Sequence, residues 1–285
     1  MKENPIRFLM IAVCMLLIAL DSAFSQTEIV YGSNPGAGRY ARVNDIQMYY
    51  EVYGTGHPLL LMHGNGGSIH DMRNQIAGLS KNFKVIAVDS RAQGKTSDSD
   101  RELTFTLIAS DMAALLDQLG LDSVYVVGYS DGGIVGLQLA YAFPRKVAKL
   151  VAISANFTPD SNAFSQELIE NDKVASFAGL DSLSKDEVIH HSHFPERAPL
   201  IFDKLLDLDR KYPNFSVEQL GAILAPTLVM AGDRDLIKAS HTFALFHALQ
   251  HSQLSIIPGT THGLPHQKPL LVNQIISEFL EAPAR

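Results

Sequence analysis

The 285-residue sequence holds a single cysteine, Cys14, so no disulfide can close within the chain and stability must come from a buried core. It also lacks any block of like charge: 23 basic and 30 acidic residues are interspersed, for a net charge of −7 at pH 7. Without a cationic stripe of the kind that phosphate backbones demand, nucleic acid is not an expected partner. Long apolar runs are missing too. The strongest, Phe8 to Leu20, has about 13 residues where a spanning helix needs roughly 20. Lys2 and Arg7 precede it and Ala23-Phe24-Ser25 follow, which is the layout of a secretory signal peptide over residues 1–25. Cleavage is expected after Ser25, with an uncleaved anchor as the alternative; Val13 is bulkier than the small residue expected before a lipid-modified cysteine, which argues against a lipoprotein anchor at Cys14. The remainder, 26–285, reads as one domain of a periplasmic or secreted protein without thiols, touching no membrane beyond the signal segment.

What is present is a hydrophobic content of 46% in short runs. Arg42 to Tyr53 alternates about a turn at Asn44-Asp45, the pattern of a hairpin. Pro58 to Met62, Lys84 to Val88, Ser123 to Val127, Val147 to Ser154, Ala225 to Ala231 and Gln253 to Ile257 are apolar without polar alternation, as strands buried on both faces are. Helical stretches fall near Asp71 to Leu79, Leu107 to Leu119, Gly132 to Ala142 and Pro269 to Leu280. Strands alternating with helices predict an α/β protein whose mostly parallel sheet has helices on both faces. The rhythm breaks once, between Ala155 and Leu224, where short charged helices (SQELIEN, LSKDEVIHH, RAPLIFDKLLDLD) come without a strand. Because the alternation then resumes, residues 156–224 are expected to be a helical lid insertion over one end of the sheet.

The stretch Gly128-Tyr129-Ser130-Asp131-Gly132 follows a buried strand and opens a helix. That is the setting in which G-x-S-x-G lifts a serine hydroxyl clear of the sheet, because a side chain at 128 or 132 would collide with a neighbouring element. A hydroxyl is a poor nucleophile near neutral pH, so Ser130 needs a base, and the base needs an acid to orient it. Asp235 follows the strand Ala225 to Ala231 and is the preferred acid, with Asp233 as the alternative. His262 follows the last strand in the same way and is the preferred base, with His266 as its rival. His190, His191 and His193 have no acid or thiol at ligand spacing and read as a solvated lid segment, not a metal site. His247 and His251 read as surface residues. His63-Gly64-Asn65-Gly66-Gly67 follows the strand Pro58 to Met62, where the backbone N–H of Asn65 can pair with that of Asp131 as an oxyanion hole.

HGNGG, VIAVDSRAQGKTS, GYSDGG, PTLVMAGDRD and GTTHG, in this order, resemble the elements of the α/β-hydrolase superfamily over nearly all of the mature chain. The resemblance implies the α/β-hydrolase fold, with Ser130 as nucleophile, Asp235 as acid, His262 as base, and Asn65 with Asp131 as oxyanion donors. SDGG followed by LVAISANFTPDS is similar to the valacyclovir hydrolase-like branch, whose members cleave esters of amino acids. Two positions depart from the family pattern: Ala92 stands where glycine is usual, and Lys238 where proline is common. Serine at position 130 argues against dehalogenases and epoxide hydrolases, which need a carboxylate there.

The reading is a serine esterase acting on a small-molecule ester, with no metal or organic cofactor. Lactonase, C–C bond hydrolase and perhydrolase chemistry use the same triad and remain alternatives, as does a non-catalytic ligand-binding protein on this fold. The Asp131 side chain has two candidate roles: to hold a substrate ammonium group, or to complement the dipole of the helix it opens.

Overall fold

Each buried strand sends successive side chains to opposite faces, so an uninterrupted apolar run requires helices on both sides of the sheet. The computed structural model, which describes residues 29–283, has that arrangement. The expected signal peptide and Cys14 lie outside the described residues. From Tyr31 onward the chain forms one unit.

The strands are β1 (Gly38–Val43), β2 (Ile46–Tyr53), β3 (His57–Met62), β4 (Phe83–Val88), β5 (Val124–Tyr129), β6 (Val147–Ile153), β7 (Thr227–Gly232) and β8 (Ser252–Ile257). They join into one eight-stranded sheet in the order β1-β2-β4-β3-β5-β6-β7-β8. β1 pairs with β2, and β2 with β4, antiparallel; every other pair is parallel. The hairpin has the expected register, Val43 opposite Ile46, with Asn44 turning the chain at φ +48°. Asparagine tolerates that left-handed conformation better than most residues.

The helices are α1 (Arg73–Leu79), α2 (Phe105–Gln118), α3 (Asp131–Ala142), α4 (Gln166–Val174), α5 (Ser182–His191), α6 (Ala198–Lys211), α7 (Val217–Gly221), α8 (Ala239–Ala248), α9 (Leu264–Gln267) and α10 (Pro269–Glu281). Leu60, Met62, Val126, Leu150 and Ala152 point to one face and pack with α2, α3 and α8. Leu59, Leu61, Val127, Val151 and Ile153 point to the other, against α1 and α10. Each fully buried Leu or Ile contributes about 1.5–3 kcal/mol, so the two faces together supply the core that a chain without disulfides requires. α2 begins where Thr104 Oγ1 accepts the Leu107 N–H at 3.0 Å, a side-chain cap that frees its start from needing a solvent partner.

Between β6 and β7 lie α4 to α7 and no strand. α4 and α5 bury no residue, whereas α6 turns Ala198, Ile201 and Leu208 inward. α6 is also tied down by charge: the buried Asp98 carboxylate accepts from Arg197 at 2.9 Å and Lys204 at 2.7 Å. Among the described residues no helix is long and apolar enough to cross a membrane.

Candidate active site

Because β3, β5, β6, β7 and β8 run parallel, their C-terminal ends lie along one edge, and the loops that follow them meet there. Each sequence-predicted residue of the triad sits on one of those loops.

Ser130 occupies the turn from β5 into α3 with φ +53° and ψ −119°. A non-glycine residue held there costs on the order of 1–3 kcal/mol, and the strain is sustained because flanking glycines let backbone segments approach closely. A Cβ at Gly128 would lie 2.0 Å from the Gly132 carbonyl oxygen, and one at Gly132 would lie 2.5 Å from that of Met62. The Ser130 N–H is fastened to the Ile153 carbonyl at 2.7 Å, which fixes the turn against β6.

The hydroxyl thus raised meets an imidazole. His262 Nε2 lies 3.0 Å from Ser130 Oγ, and His262 Nδ1 lies 2.8 Å from Asp235 Oδ1. Asp235 is 1% exposed at its side chain and takes two more hydrogen bonds, from Ser154 Oγ to Oδ2 at 2.5 Å and from the Ile237 N–H to Oδ1 at 3.1 Å. Burial alone would raise its pKa, but the hydrogen bond and charge of His262, with the Ser154 hydroxyl, outweigh it and hold the carboxyl below its ordinary value. Tyr129 lays its ring 5.4 Å from that of His262 and has its hydroxyl pushed up to about 12, by burial first and by the Asp235 charge second. It is therefore neutral, and its ring forms a wall of the site.

The rivals are placed elsewhere. Asp233 turns away to accept the Thr260 N–H at 3.1 Å, and the His266 ring stands edge-on to Tyr129 at 6.0 Å. His190 and His191 end the exposed helix α5, and among the described residues no group of three or more His, Cys, Asp or Glu is gathered as metal ligands.

The His63–Gly67 loop passes directly against Ser130: a Cβ at Gly64 would come within 3.1 Å of Ser130 Cβ. It is held from within, since His63 Nδ1 donates to the Gly64 carbonyl at 2.7 Å and Nε2 accepts the Ser90 N–H at 3.1 Å. The Gly66 N–H donates to Gln93 Oε1 at 2.7 Å. Among the described residues, the backbone N–H groups of Asn65 and Asp131 have no acceptor. Two unspent donors beside Ser130 would suit an oxyanion developing there.

Asp131 itself is buried, lies in the first turn of α3, and leaves Oδ2 without a donor. Burial, with the nearby charge of Asp209 adding to it, raises its carboxyl well above the ordinary range. Three residues escaped the sequence reading. Ser154 and Asn156 follow β6 within LVAISANFTPDS, a stretch that gave neither of them a role; Asp209 lies in a charged helix where an acid is unremarkable. Ser154 shares with Ala92 and Ser130 a positive φ, +51°, which no local sequence pattern announces. Ala92, the departure from glycine, has φ +66°, so the alanine stands in the backbone conformation that glycine suits.

Ser130, Asp131 and His262 open on a cavity of about 400 Å³ roofed by the inserted helices, with Phe164, Ile169 and Tyr212 in its lining. Leu168, Leu236 and Ile237 add to its apolar lining, while Asp131, Asn156, Asp172, Lys173, Asp209 and Arg210 make it strongly polar as well.

Comparison with known proteins agrees with this architecture. A family model described as alpha/beta hydrolase fold matches residues 57–181. The chain is 26% identical over 265 residues to "Putative carbamate hydrolase RutD" of Azorhizobium caulinodans, covering 84% of this chain and 97% of that one. It is 26% identical over 264 residues to serine hydrolase BPHL of Homo sapiens, covering 88% of each. Among solved structures, a thermophilic esterase from Thermogutta terrifontis superposes with a TM-score of 0.69 at 25% identity, covering 85% of this chain and 97% of that one.

Proposed function

The chain belongs to the α/β-hydrolase superfamily and is a hydrolase, and from that premise we propose that it cleaves small carboxylic esters through an acyl-enzyme on Ser130. The observation that carries this reading is the unbroken sequence of hydrogen bonds from Ser130 Oγ through His262 to Asp235, at 3.0 and 2.8 Å.

In the proposed reaction Ser130 Oγ attacks the ester carbonyl carbon while its proton passes to His262 Nε2. Asp235 holds Nδ1–H, fixes the tautomer and stabilises the imidazolium that forms. The carbonyl oxygen becomes an oxyanion facing the N–H groups of Asn65 and Asp131; loss of one such donor typically costs about 2.7–4 kcal/mol of transition-state stabilisation. When the tetrahedral species collapses, the C–O bond to the alcohol breaks and the alcohol leaves with the proton from Nε2. Water then gives a proton to Nε2 as it attacks the acyl carbon; the acyl C–Oγ bond breaks, Ser130 Oγ takes that proton back, and the acid leaves.

The Asp131 side chain favours acyl groups that carry an amine, because its buried Oδ2 beside the nucleophile has no donor. A charged hydrogen bond there of about 1.5–3 kcal/mol corresponds to a preference of roughly 10- to 150-fold. The test is turnover of matched esters with and without an α-amino group by wild type and Asp131→Asn. The reading predicts activity on esters, lost in Ser130→Ala, and an amine preference that shrinks in Asp131→Asn. Turnover that survives Ser130→Ala refutes the nucleophile, and equal loss on both esters refutes the role of the side chain.

A further inference from the structure

The reaction above uses the backbone of Asp131 and leaves a second carboxyl group unexplained. Asp209 lies on α6, and its Oδ2 accepts from Asn65 Nδ2 at 2.7 Å; Asn65 Nδ2 also reaches the Leu205 carbonyl at 3.3 Å. The inserted helix is thereby joined to the oxyanion loop. Asp131 Oδ2 is buried without a donor among the described residues, and the Asp209 carboxyl is close enough to act on it. Both line the cavity that holds Ser130 and His262.

The cations in that cavity are engaged elsewhere. Arg210 donates to Asp172 at 3.1 Å and to the Ala175 carbonyl at 2.6 Å, and Lys173 pairs with Glu170 at 2.9 Å. Asp131 is buried and Asp209 is exposed, and two neighbouring carboxyls disfavour each other's ionised form. The Asp209 carboxyl is pushed up to about 6, and burial, with the charge of Asp209 adding to it, raises Asp131 well above its ordinary range. An arrangement of this kind is relieved by a ligand that brings positive charge and several N–H donors. An ammonium group has three donors, and the single open oxygen of Asp131 satisfies one; the second carboxyl supplies further acceptors. A carboxylate-bearing substrate would meet repulsion at the same place.

We propose that Asp209 is a specificity-determining residue which, with Asp131, forms a two-carboxylate subsite for an ammonium group on the acyl portion of the substrate. The proposal rests on the serine-hydrolase reading and deepens it. Since Asp131 adjoins the nucleophile in the chain, the amine it receives lies a few bonds from the scissile carbonyl. Since Asp209 belongs to α6, a bound amine bridges the inserted helices to α3.

The test uses two phosphonate esters that differ only in an amino group near phosphorus, each reacting with Ser130 of wild type and of Asp209→Asn; asparagine keeps the size of the side chain and an acceptor for Asn65. Wild type is expected to label faster with the amino probe by about 10- to 150-fold, and the ratio of the two rates is expected to fall at least about tenfold in Asp209→Asn. A ratio near one in wild type, or a ratio preserved in the variant while both rates drop, overturns the proposal and leaves Asp209 as a brace for Asn65. Calorimetric titration with n-butylammonium chloride gives a readout independent of labelling. Binding at least about tenfold weaker in Asp209→Asn, with an unchanged melting temperature, supports the subsite, and equal binding or none overturns it. If neither phosphonate labels Ser130, the hydrolytic reading fails, and the titration still decides the subsite.

Discussion

Replacing Ser154 by alanine removes one hydroxyl that touches neither nucleophile nor base, and its effect follows from the environment of Asp235. The lost contact is the 2.5 Å hydrogen bond to Oδ2 of a carboxylate that is 1% exposed, so water cannot take its place without opening the site. A hydrogen bond to a charged group contributes about 1.5–3 kcal/mol, and its loss raises the Asp235 pKa. Its folded pKa lies below the ordinary value, so the carboxylate stabilises the fold above its unfolded pKa, and that stabilisation is lost as pH falls through the folded pKa. The deficit of Ser154→Ala is therefore about 1.5–3 kcal/mol at pH 7 and shrinks below about pH 4. Urea unfolding of both proteins at pH 7 and pH 3 measures it. The remaining bonds from His262 and the Ile237 N–H still orient Asp235, so kcat is expected to fall about tenfold with little change in KM. Ser154→Gly loses the same hydroxyl but relieves the φ of +51°; it should match the alanine variant in activity and exceed it in stability by about 1 kcal/mol. A Ser154→Ala protein with full activity, or with the same stability deficit at both pH values, refutes the reasoning.

Other perturbations follow from the same packing. Gly128→Ala places a methyl 2.0 Å from the Gly132 carbonyl oxygen, and soluble yield with thermal melting should show a loss of about 3 kcal/mol or more. His241 is buried against Phe157, accepts its N–H at 3.0 Å, and has its pKa lowered to about 4 by burial. The unfolded chain takes up that proton first, so stability falls as pH drops from about 6.5 toward 4; His241→Phe should flatten that part of the stability profile while costing stability at pH 7. Unchanged pH dependence in that variant contradicts the assignment.

The sheet and the triad were legible because their signals are local. A run such as Leu59-Leu60-Leu61-Met62 has no polar position to face solvent, and both of its faces are covered. The turn at Ser130 is written in the two glycines whose missing side chains permit it. Asp235 was preferred to Asp233, and the register of the loop after β7 shows why that choice mattered: two residues earlier the carboxylate serves the Thr260 backbone instead. The support of the triad was not legible. Ser154 reaches Asp235 across 81 positions and Asp209 reaches Asn65 across 144; such contacts depend on how α6 and the strand ends are brought together, which no spacing encodes. The insertion was visible as a break in rhythm, yet the sequence did not reveal that one of its acids would face Asp131.

The central claim is that Ser130 forms a covalent acyl intermediate. The most direct measurement is the mass of the protein after rapid acid quench during turnover of an activated p-nitrophenyl ester, followed by mapping of the modified peptide. The account predicts a mass gain equal to the acyl group, located on Ser130 and absent from Ser130→Ala. Continued turnover with no adduct on Ser130, or turnover that persists in Ser130→Ala, would contradict it.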